Sequence, residues 1–372
     1  MGRRGETLPN TGGAHCMFMT ETPIALLAGD KPRFMLQLHV TEQCNLRCRH
    51  CYNESWSRHL SFEAFQDIVS QYKRLLEICQ TEGTIYLTGG EPLLWPPLFQ
   101  ALDVLHREGI TPRIFTNGTR ITREYARKLK QAQVKFVQVS LDGGRDIHTA
   151  IRGYRSFDKA LTGIRYLIDQ HIEVTIMATI MKRNLGDLKE LLDIADRLGV
   201  ARIAFSRFIP MGGGSLLEGE ELSAEEVRNM IEYLDQAQEH HDVKIVQRDP
   251  LWAIQKESNY SFSGCSAGQF LLDVLVDGTA LPCRRLPIPV GNVFEEQLAE
   301  IWVSSPILRK LRNRANLECK ACQKILLCGG CRGLAYAMTG DIFVRDPQCF
   351  YLRNDKDLCE SDTETIAISC KC

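Results

Sequence analysis

Three cysteines stand close together early in this sequence, with the spacing C-x3-C-x2-C: Cys44, Cys48 and Cys51. Several thiolates in one short loop are typical ligands for a thiophilic metal centre. A cubane 4Fe-4S cluster has four irons, so three cysteine ligands leave one iron open for a chelating substrate. Zinc is the main alternative, although structural zinc sites usually pair C-x2-C units and take four ligands. The triad therefore favours an iron-sulfur cluster with an open position.

A second group of cysteines occupies the later part of the chain, between positions 265 and 349. Its spacing is C-x12-G-x4-C, then C-x2-C-x5-C-x2-C, then one more cysteine after seventeen intervening residues. The group consists of Cys265, Cys283, Cys319, Cys322, Cys328, Cys331 and Cys349. Two zinc ribbons are the structural alternative here, because C-x2-C pairs also bind zinc.

The whole chain has 372 residues and fifteen cysteines, too unevenly distributed for a secreted disulfide scaffold. Its N-terminus has no apolar stretch of the kind found in secretory signals, and no apolar run approaches the roughly 20 residues that span a bilayer. We therefore expect a cytoplasmic protein without a membrane segment. The formal net charge of −1 gives no basis for strong attraction to nucleic acid.

Six short apolar runs alternate with longer segments of helical period between Phe34 and about Ser206. The predicted strands are 34–40, 84–88, 112–116, 135–140, 173–181 and 201–206. The predicted helices are 61–79, 96–108, 122–132, 156–170, 185–198 and 222–239. Strict alternation of this kind implies parallel strands joined by right-handed crossovers. The pattern predicts an open, partial barrel of six strand-helix units.

Polar or glycine-rich segments follow the first four predicted strands, where parallel barrels collect their chemistry. Cys44–Cys51 follows the first strand, and Gly89-Gly90-Glu91-Pro92 follows the second. Asn117-Gly118 and Asp142-Gly143 follow the third and fourth. Each dipeptide alone is also an ordinary turn. Their placement on successive strand ends nevertheless predicts one shared site at one rim.

The cysteine triad, followed directly by Tyr52, resembles the signature of the radical S-adenosylmethionine (SAM) superfamily, and the resemblance extends over roughly residues 34–240. It implies an α/β fold with a partial (β/α)6 TIM-like barrel, in which the amino and carboxylate groups of SAM chelate the open iron. It also implies SAM contacts from Tyr52, Gly89, Gly90, Glu91, Ser140 and Arg152. Among these, Glu91 would hold the methionyl amino group, and Arg152 the carboxylate.

The second cysteine group resembles the SPASM extension of radical SAM enzymes over about residues 265–350. One departure is the spacing from Cys328 to Cys331, which has two intervening residues where the family often has three. The resemblance implies a small cysteine-rich domain with two auxiliary 4Fe-4S clusters, hence three clusters and about twelve irons in all. The first auxiliary cluster would take Cys265, Cys283 and Cys331, with a possible open iron. The second would take Cys319, Cys322, Cys328 and Cys349.

The implied activity is reductive cleavage of SAM to a 5′-deoxyadenosyl radical, which abstracts a substrate hydrogen. A one-electron donor such as flavodoxin or ferredoxin would reduce the first cluster. Because auxiliary clusters accept electrons, we expect oxidative modification of a peptide or protein, such as a crosslink or thioether. Biosynthesis of a haem-type tetrapyrrole or a quinone cofactor is the alternative. A non-enzymatic iron-sulfur electron carrier is less favoured, since it has no need for the SAM-binding loop with Glu91.

The predicted domains are an N-terminal arm (1–33), a radical SAM barrel (34–245), a linker with the SPASM domain (246–352) and a C-terminal tail (353–372). The sequence does not decide which C–H bond is attacked or the oligomeric state. It also leaves open the fourth ligand of the first auxiliary cluster, the meaning of the LPNTG segment at 8–12, and the roles of Cys359, Cys370 and Cys372.

Overall fold

The computed structural model describes residues 33–254 and 264–351. The LPNTG segment, Cys16, Cys359, Cys370 and Cys372 lie outside these residues. The strands are β1 (Phe34–Thr41), β2 (Gly83–Gly89), β3 (Thr111–Thr116), β4 (Phe136–Ser140), β5 (Glu173–Ile180), β6 (Arg202–Arg207), β7 (Lys244–Gln247), β8 (Leu271–Val274), β9 (Thr279–Leu281) and β10 (Gly291–Asn292). The α-helices are α1 (Phe62–Cys79), α2 (Leu98–Arg107), α3 (Arg123–Gln131), α4 (Arg145–Arg152), α5 (Ser156–Asp169), α6 (Leu188–Leu198), α7 (Ala224–Ala237), α8 (Leu298–Ser304), α9 (Pro306–Arg312) and α10 (Arg332–Thr339).

All the strands belong to one ten-stranded sheet with the order β10-β9-β8-β1-β2-β3-β4-β5-β6-β7. Strands β1 to β7 are parallel neighbours in chain order, which confirms the six predicted strands and the predicted α/β class. Parallel order puts all the carboxyl ends on one rim. Within the described ranges, we find no helix that is both long and apolar enough to cross a membrane.

Helix α1 shows how local sequence builds the barrel. Its N-terminus is capped by Ser61, whose side-chain oxygen accepts a hydrogen bond from the Ala64 backbone N–H at 3.1 Å. Its buried Tyr72 donates its hydroxyl to the Phe34 carbonyl at 2.6 Å and accepts from the Thr84 backbone N–H at 3.0 Å. One side chain thus joins the helix to the starts of both β1 and β2. That fixes the strand from which the cysteine loop emerges.

The cysteine-rich region continues the same sheet rather than forming a detached unit. Strand β8 pairs in parallel with β1, with Met35 opposite Leu271 and Leu38 opposite Val274. Strands β9 and β10 then add antiparallel neighbours. The predicted domain boundary near residue 245 falls inside β7, which pairs with β6.

A buried ion-pair network joins the end of β6 to the cysteine-rich region. The Arg207 guanidinium donates to Asp249 at 2.6 Å, to Asp346 at 2.8 Å and to Gln348 at 2.8 Å. All four side chains are buried. Asp346 also accepts a hydrogen bond from the backbone N–H of Cys331 at 2.7 Å. Arg207 therefore links the barrel rim, through Asp346, to the predicted cluster ligand Cys331.

Candidate cluster and cofactor site

The loop after β1 donates backbone hydrogen bonds to the sulfurs of two of its three cysteines. The Leu46 backbone N–H donates to Cys44 Sγ at 3.4 Å, and the Asn53 N–H donates to Cys51 Sγ at 3.4 Å. A turn hydrogen bond from Cys51 N to Cys48 O, at 3.1 Å, keeps the last two cysteines together. Hydrogen bonds to sulfur favour its charged form, which is the form that binds metal.

The turn after β2 packs against this loop through backbone contacts. The Gly90 N–H donates to Thr41 O at 2.7 Å, and the Glu91 N–H donates to Gln43 O at 2.7 Å. Gly89 has φ +129°, which strongly favours glycine. A Cβ on Gly90 would lie 2.2 Å from Gln43 O, which no side chain can occupy without moving the loop. The two loops therefore act as one structural unit.

Replacing Gly90 by alanine should displace the cysteine loop while leaving the barrel folded. We expect Gly90→Ala to bind less iron at the first cluster and to cleave SAM poorly, because its new methyl group collides with the backbone next to Cys44. The measurements are iron content after anaerobic reconstitution and methionine release. Gly186→Ala is the matched control, because a Cβ there meets nothing within 4 Å. Equal SAM cleavage by both variants would contradict the close approach.

Glu91 is fully buried and organises the loop after β3. Its carboxylate accepts hydrogen bonds from the Thr116 hydroxyl at 2.6 Å, the Asn117 N–H at 2.8 Å and the Leu93 N–H at 3.2 Å. Burial raises its pKa to about 7, although these hydrogen bonds act in the opposite direction. The Asn117 amide in turn donates to Cys44 Sγ at 3.8 Å. Glu91 therefore acts here as a positioning residue, and its contact with SAM stays a prediction.

Arg152 lies beside the cysteine triad, held there by a buried carboxylate. Its Nε donates to Asp142 Oδ2 at 2.5 Å, and its Nη1 donates to Cys48 Sγ at 3.9 Å. His50 Nε2 lies 3.0 Å from the same Asp142 oxygen. Burial acts to raise the pKa of Asp142, but Arg152 and His50 outweigh it and hold that pKa well below its usual range. The sequence predicts that Asp142 lies at this rim, but it gives no sign of the pairing with Arg152 and His50.

A cavity of about 360 Å³ opens at this rim of the barrel. It brings together the three cysteines and five of the six residues predicted to contact SAM. These are Cys44, Cys48, Cys51, Tyr52, Gly89, Gly90, Ser140 and Arg152. Glu91 is the predicted contact that does not line it. Apolar side chains of the barrel interior form other parts of the wall, among them Met35, Tyr86, Phe115 and Met177.

The predicted auxiliary ligands fall into two groups. A cavity of about 100 Å³ is lined by four of them, Cys319, Cys322, Cys328 and Cys349, which is the set predicted for the second auxiliary cluster. The members of the other set, Cys265, Cys283 and Cys331, all lie near the Arg285 guanidinium and act on its pKa. Cys283 also lines the larger cavity, so the two predicted cluster sites border one space.

The donor set around the triad fits an iron-sulfur cluster. In residues 33–254 and 264–351, no group of three or more His, Cys, Asp and Glu side chains forms a site for a single metal ion. A cubane has a different requirement, because each cysteine binds a separate iron and the sulfurs need not converge on one point. Burial raises the pKa of Cys48 to about 12, and the adjacent Arg152 offsets negative charge. A bound metal would replace the thiol proton.

Comparisons with known proteins agree with this geometry. Residues 38–195 match the model of the radical SAM superfamily, and residues 265–324 match that of the SPASM iron-sulfur cluster-binding domain. The AdoMet-dependent heme synthase of Methanosarcina barkeri is 28% identical over 340 residues, 85% of this chain and 96% of the relative. The mycofactocin maturase MftC of Mycobacterium tuberculosis is 28% identical over 330 residues, 84% and 82% of the two chains. Streptococcus suis SuiB bound to S-adenosylmethionine shares the fold, with a TM-score of 0.68, 19% identity and coverage of 86% and 77%.

Proposed function

This chain is a radical SAM enzyme with a C-terminal SPASM domain, and on that premise we propose that it oxidises a carboxylate-bearing side chain of a haem-type tetrapyrrole. One observation supports an oxidation above all. The cysteines of the SAM-binding triad and Cys283 of the predicted first auxiliary set line the same cavity. A substrate in that cavity lies between the group that removes a hydrogen and a group that can accept an electron.

The predicted clusters and SAM would supply the radical and redox chemistry of the reaction. When bound, the triad's cluster and SAM supply a carbon radical that takes one hydrogen atom from the substrate. The chain's own residues do the rest: Arg152, fixed by Asp142, orients the SAM carboxylate, and Tyr86 and Phe115 keep water from the barrel interior. We assign Cys265, Cys283 and Cys331 to the first auxiliary cluster and the other four to the second.

The atoms and electrons of the proposed step balance without molecular oxygen as an oxidant. In the proposed step, a propionate side chain would lose one hydrogen atom to the SAM-derived radical and one electron to the cluster that Cys265, Cys283 and Cys331 would hold. Its carboxylate departs as carbon dioxide, and the two remaining carbons form a vinyl double bond. A one-electron donor of the flavodoxin or ferredoxin kind supplies the electron that starts each turnover.

The choice of a tetrapyrrole as substrate rests on the similarity of this chain to the heme synthase and on the residues that line the cavity. The heme synthase resembles this chain over 96% of its own length. The cavity combines the neighbouring rings of Tyr86 and Phe115, 4.9 Å apart, with a positively charged lining in which the described residues include no Asp or Glu, and this suits a flat ring that carries carboxylates. Peptide oxidation is the second candidate, because the maturase also matches across 82% of its length. Both candidates use the same hydrogen abstraction.

An anaerobic assay separates the two candidates. Reconstituted enzyme, SAM, reduced flavodoxin and iron coproporphyrin III should yield methionine and a porphyrin that is lighter by carbon dioxide and two hydrogens for each side chain converted. Mass spectrometry of the extracted porphyrin is the measurement. The control omits SAM. If SAM is cleaved while the porphyrin stays intact, the tetrapyrrole proposal is wrong, and a peptide becomes the substrate to test.

A further inference from the structure

Arg248 directly follows β7 and lines the large cavity. The preceding residue, Gln247, pairs with Phe205 on β6, which puts Arg248 at the level of Ser206, another lining residue. Its side chain is accessible to solvent within that cavity. Among the residues that the structure describes, no carboxylate pairs with its guanidinium. An arginine that faces a cavity and has no protein counter-ion there can pair with an anionic ligand.

The cavity has four other arginines, and each has a local role. Arg152 pairs with Asp142 at 2.5 Å beside the SAM site. Arg207 pairs with Asp249 at 2.6 Å and belongs to the buried network that joins the two regions. Both positive charges are therefore matched by protein carboxylates. Arg152 is assigned to the SAM carboxylate and Arg207 to the buried network, so neither is left for a carboxylate of the substrate.

The remaining two arginines lie next to the predicted clusters. Arg284 is centred 4.3 Å from the Tyr52 ring and donates to the Tyr52 carbonyl at 3.2 Å. Arg285 lies among the cysteines of the first auxiliary set, which act on its pKa. A cluster held by thiolates would be their anionic neighbour. Arg248 has no such neighbour among the residues that the structure describes.

The surroundings of Arg248 make its positive charge unfavourable without a ligand. Desolvation of the guanidinium by the surrounding cavity wall is the main cause that lowers its pKa, and the like charges of Arg113 and Arg202 lower it further, against the opposite effect of Tyr86. Arg202 already pairs with Glu173 at 2.8 Å, and Arg113 lies over the Phe136 ring at 4.8 Å. No Asp or Glu is found among the described residues that line the cavity. Within the described part of the chain the matching negative charge is missing, and a bound anionic ligand would supply it.

We propose that Arg248 anchors a carboxylate of the substrate in the barrel interior, as a specificity-determining residue. A guanidinium offers two parallel N–H donors that match both oxygens of a carboxylate. The nearby wall is apolar and aromatic, so the ligand class is a flat organic ring with acidic side chains. This inference deepens the proposed function and rests on it.

The test uses equilibrium binding rather than turnover. Iron coproporphyrin III and its tetramethyl ester are titrated into reconstituted enzyme, and the porphyrin absorbance band reports binding. Arg248→Gln should bind the free acid about tenfold or more weakly than the original enzyme, because the carboxylate has lost a charged hydrogen-bond partner. The ester should bind both proteins within about threefold, because it has no carboxylate to lose. Arg248→Lys should recover part of the affinity for the acid.

Two controls keep a folding defect apart from a lost contact. Arg127→Gln removes an exposed arginine on α3 and should bind the acid as the original enzyme does. Iron content and SAM affinity should be unchanged in Arg248→Gln. If SAM affinity falls with acid affinity, Arg248 belongs to the SAM site and the inference is overturned.

The outcomes also separate this inference from the proposed function. If the original enzyme binds neither the acid nor the ester, the tetrapyrrole proposal itself fails. If it binds the acid and Arg248→Gln binds it equally well, the role of Arg248 is refuted while the proposed function stands. If Arg248→Gln loses affinity for the free acid but not for the ester, the result supports both the proposed function and the role of Arg248.

Discussion

Replacing Cys48 by alanine is expected to reduce SAM cleavage below detection. Two thiolates cannot hold the cluster of the triad, and Arg152, which donates to Cys48 Sγ, is left facing a methyl group. The protein should still fold, because the cysteine loop keeps its backbone contacts with the turn after β2. Methionine release under anaerobic reducing conditions is the measurement. Normal cleavage by Cys48→Ala would refute the assignment of the triad.

Cys331→Ala is the matched control, because it removes a ligand of the predicted first auxiliary cluster. It should still cleave SAM but fail to complete the oxidation, since the substrate radical has lost its electron acceptor. Each variant should lose about four of about twelve irons. If the original enzyme, after full reconstitution, holds about four irons or fewer, the three-cluster proposal is wrong.

Replacing Arg207 by methionine should have the largest effect on stability. The change leaves Asp249 and Asp346 as buried carboxylates without a counter-charge, so we expect the free energy of unfolding to fall by about 3–5 kcal/mol. Denaturation followed by intrinsic fluorescence measures the difference between variants. Adding Asp249→Asn should recover part of the loss, because it removes one of the two stranded charges.

Arg183→Met is the control for this prediction. Arg183 pairs with Glu220 in a partly exposed position, with side-chain exposures of 27% and 16%. Screening by water limits such a pair to about 1 kcal/mol or less. If both variants lose the same small amount, the Arg207 network does not secure the two regions to each other.

The strands of the barrel and the groups of cysteines could be predicted because their signals are local. Alternating apolar runs mark β1 to β6, and cysteine spacing within a few residues marks each metal loop. Helix α4 was missed because it is short and charged, and only His148 and Ile151 are buried in it. Its last residue, Arg152, was identified from a motif alone.

The features that join distant parts of the chain could not be predicted from the sequence. Arg207 and Asp346 are 139 positions apart, and nothing in either local sequence indicates that they meet. The pairing of β8 with β1 is equally remote. Arg248 has an unremarkable local sequence, and its significance depends on which side chains surround it. Such properties follow from the order of the strands in the sheet, which brings distant parts of the chain together.

The position of β1 between β2 and β8 has a consequence for how the protein is made. A ribosome releases β1 and the cysteine triad early, but β8 emerges only after some 230 further residues have been synthesised. Until then β1 has an open edge, on which its backbone groups lack partners. The loop that holds the first cluster therefore gains its full support late. Loading of that cluster should follow completion of the chain, and a version truncated before β8 should associate with itself instead of maturing.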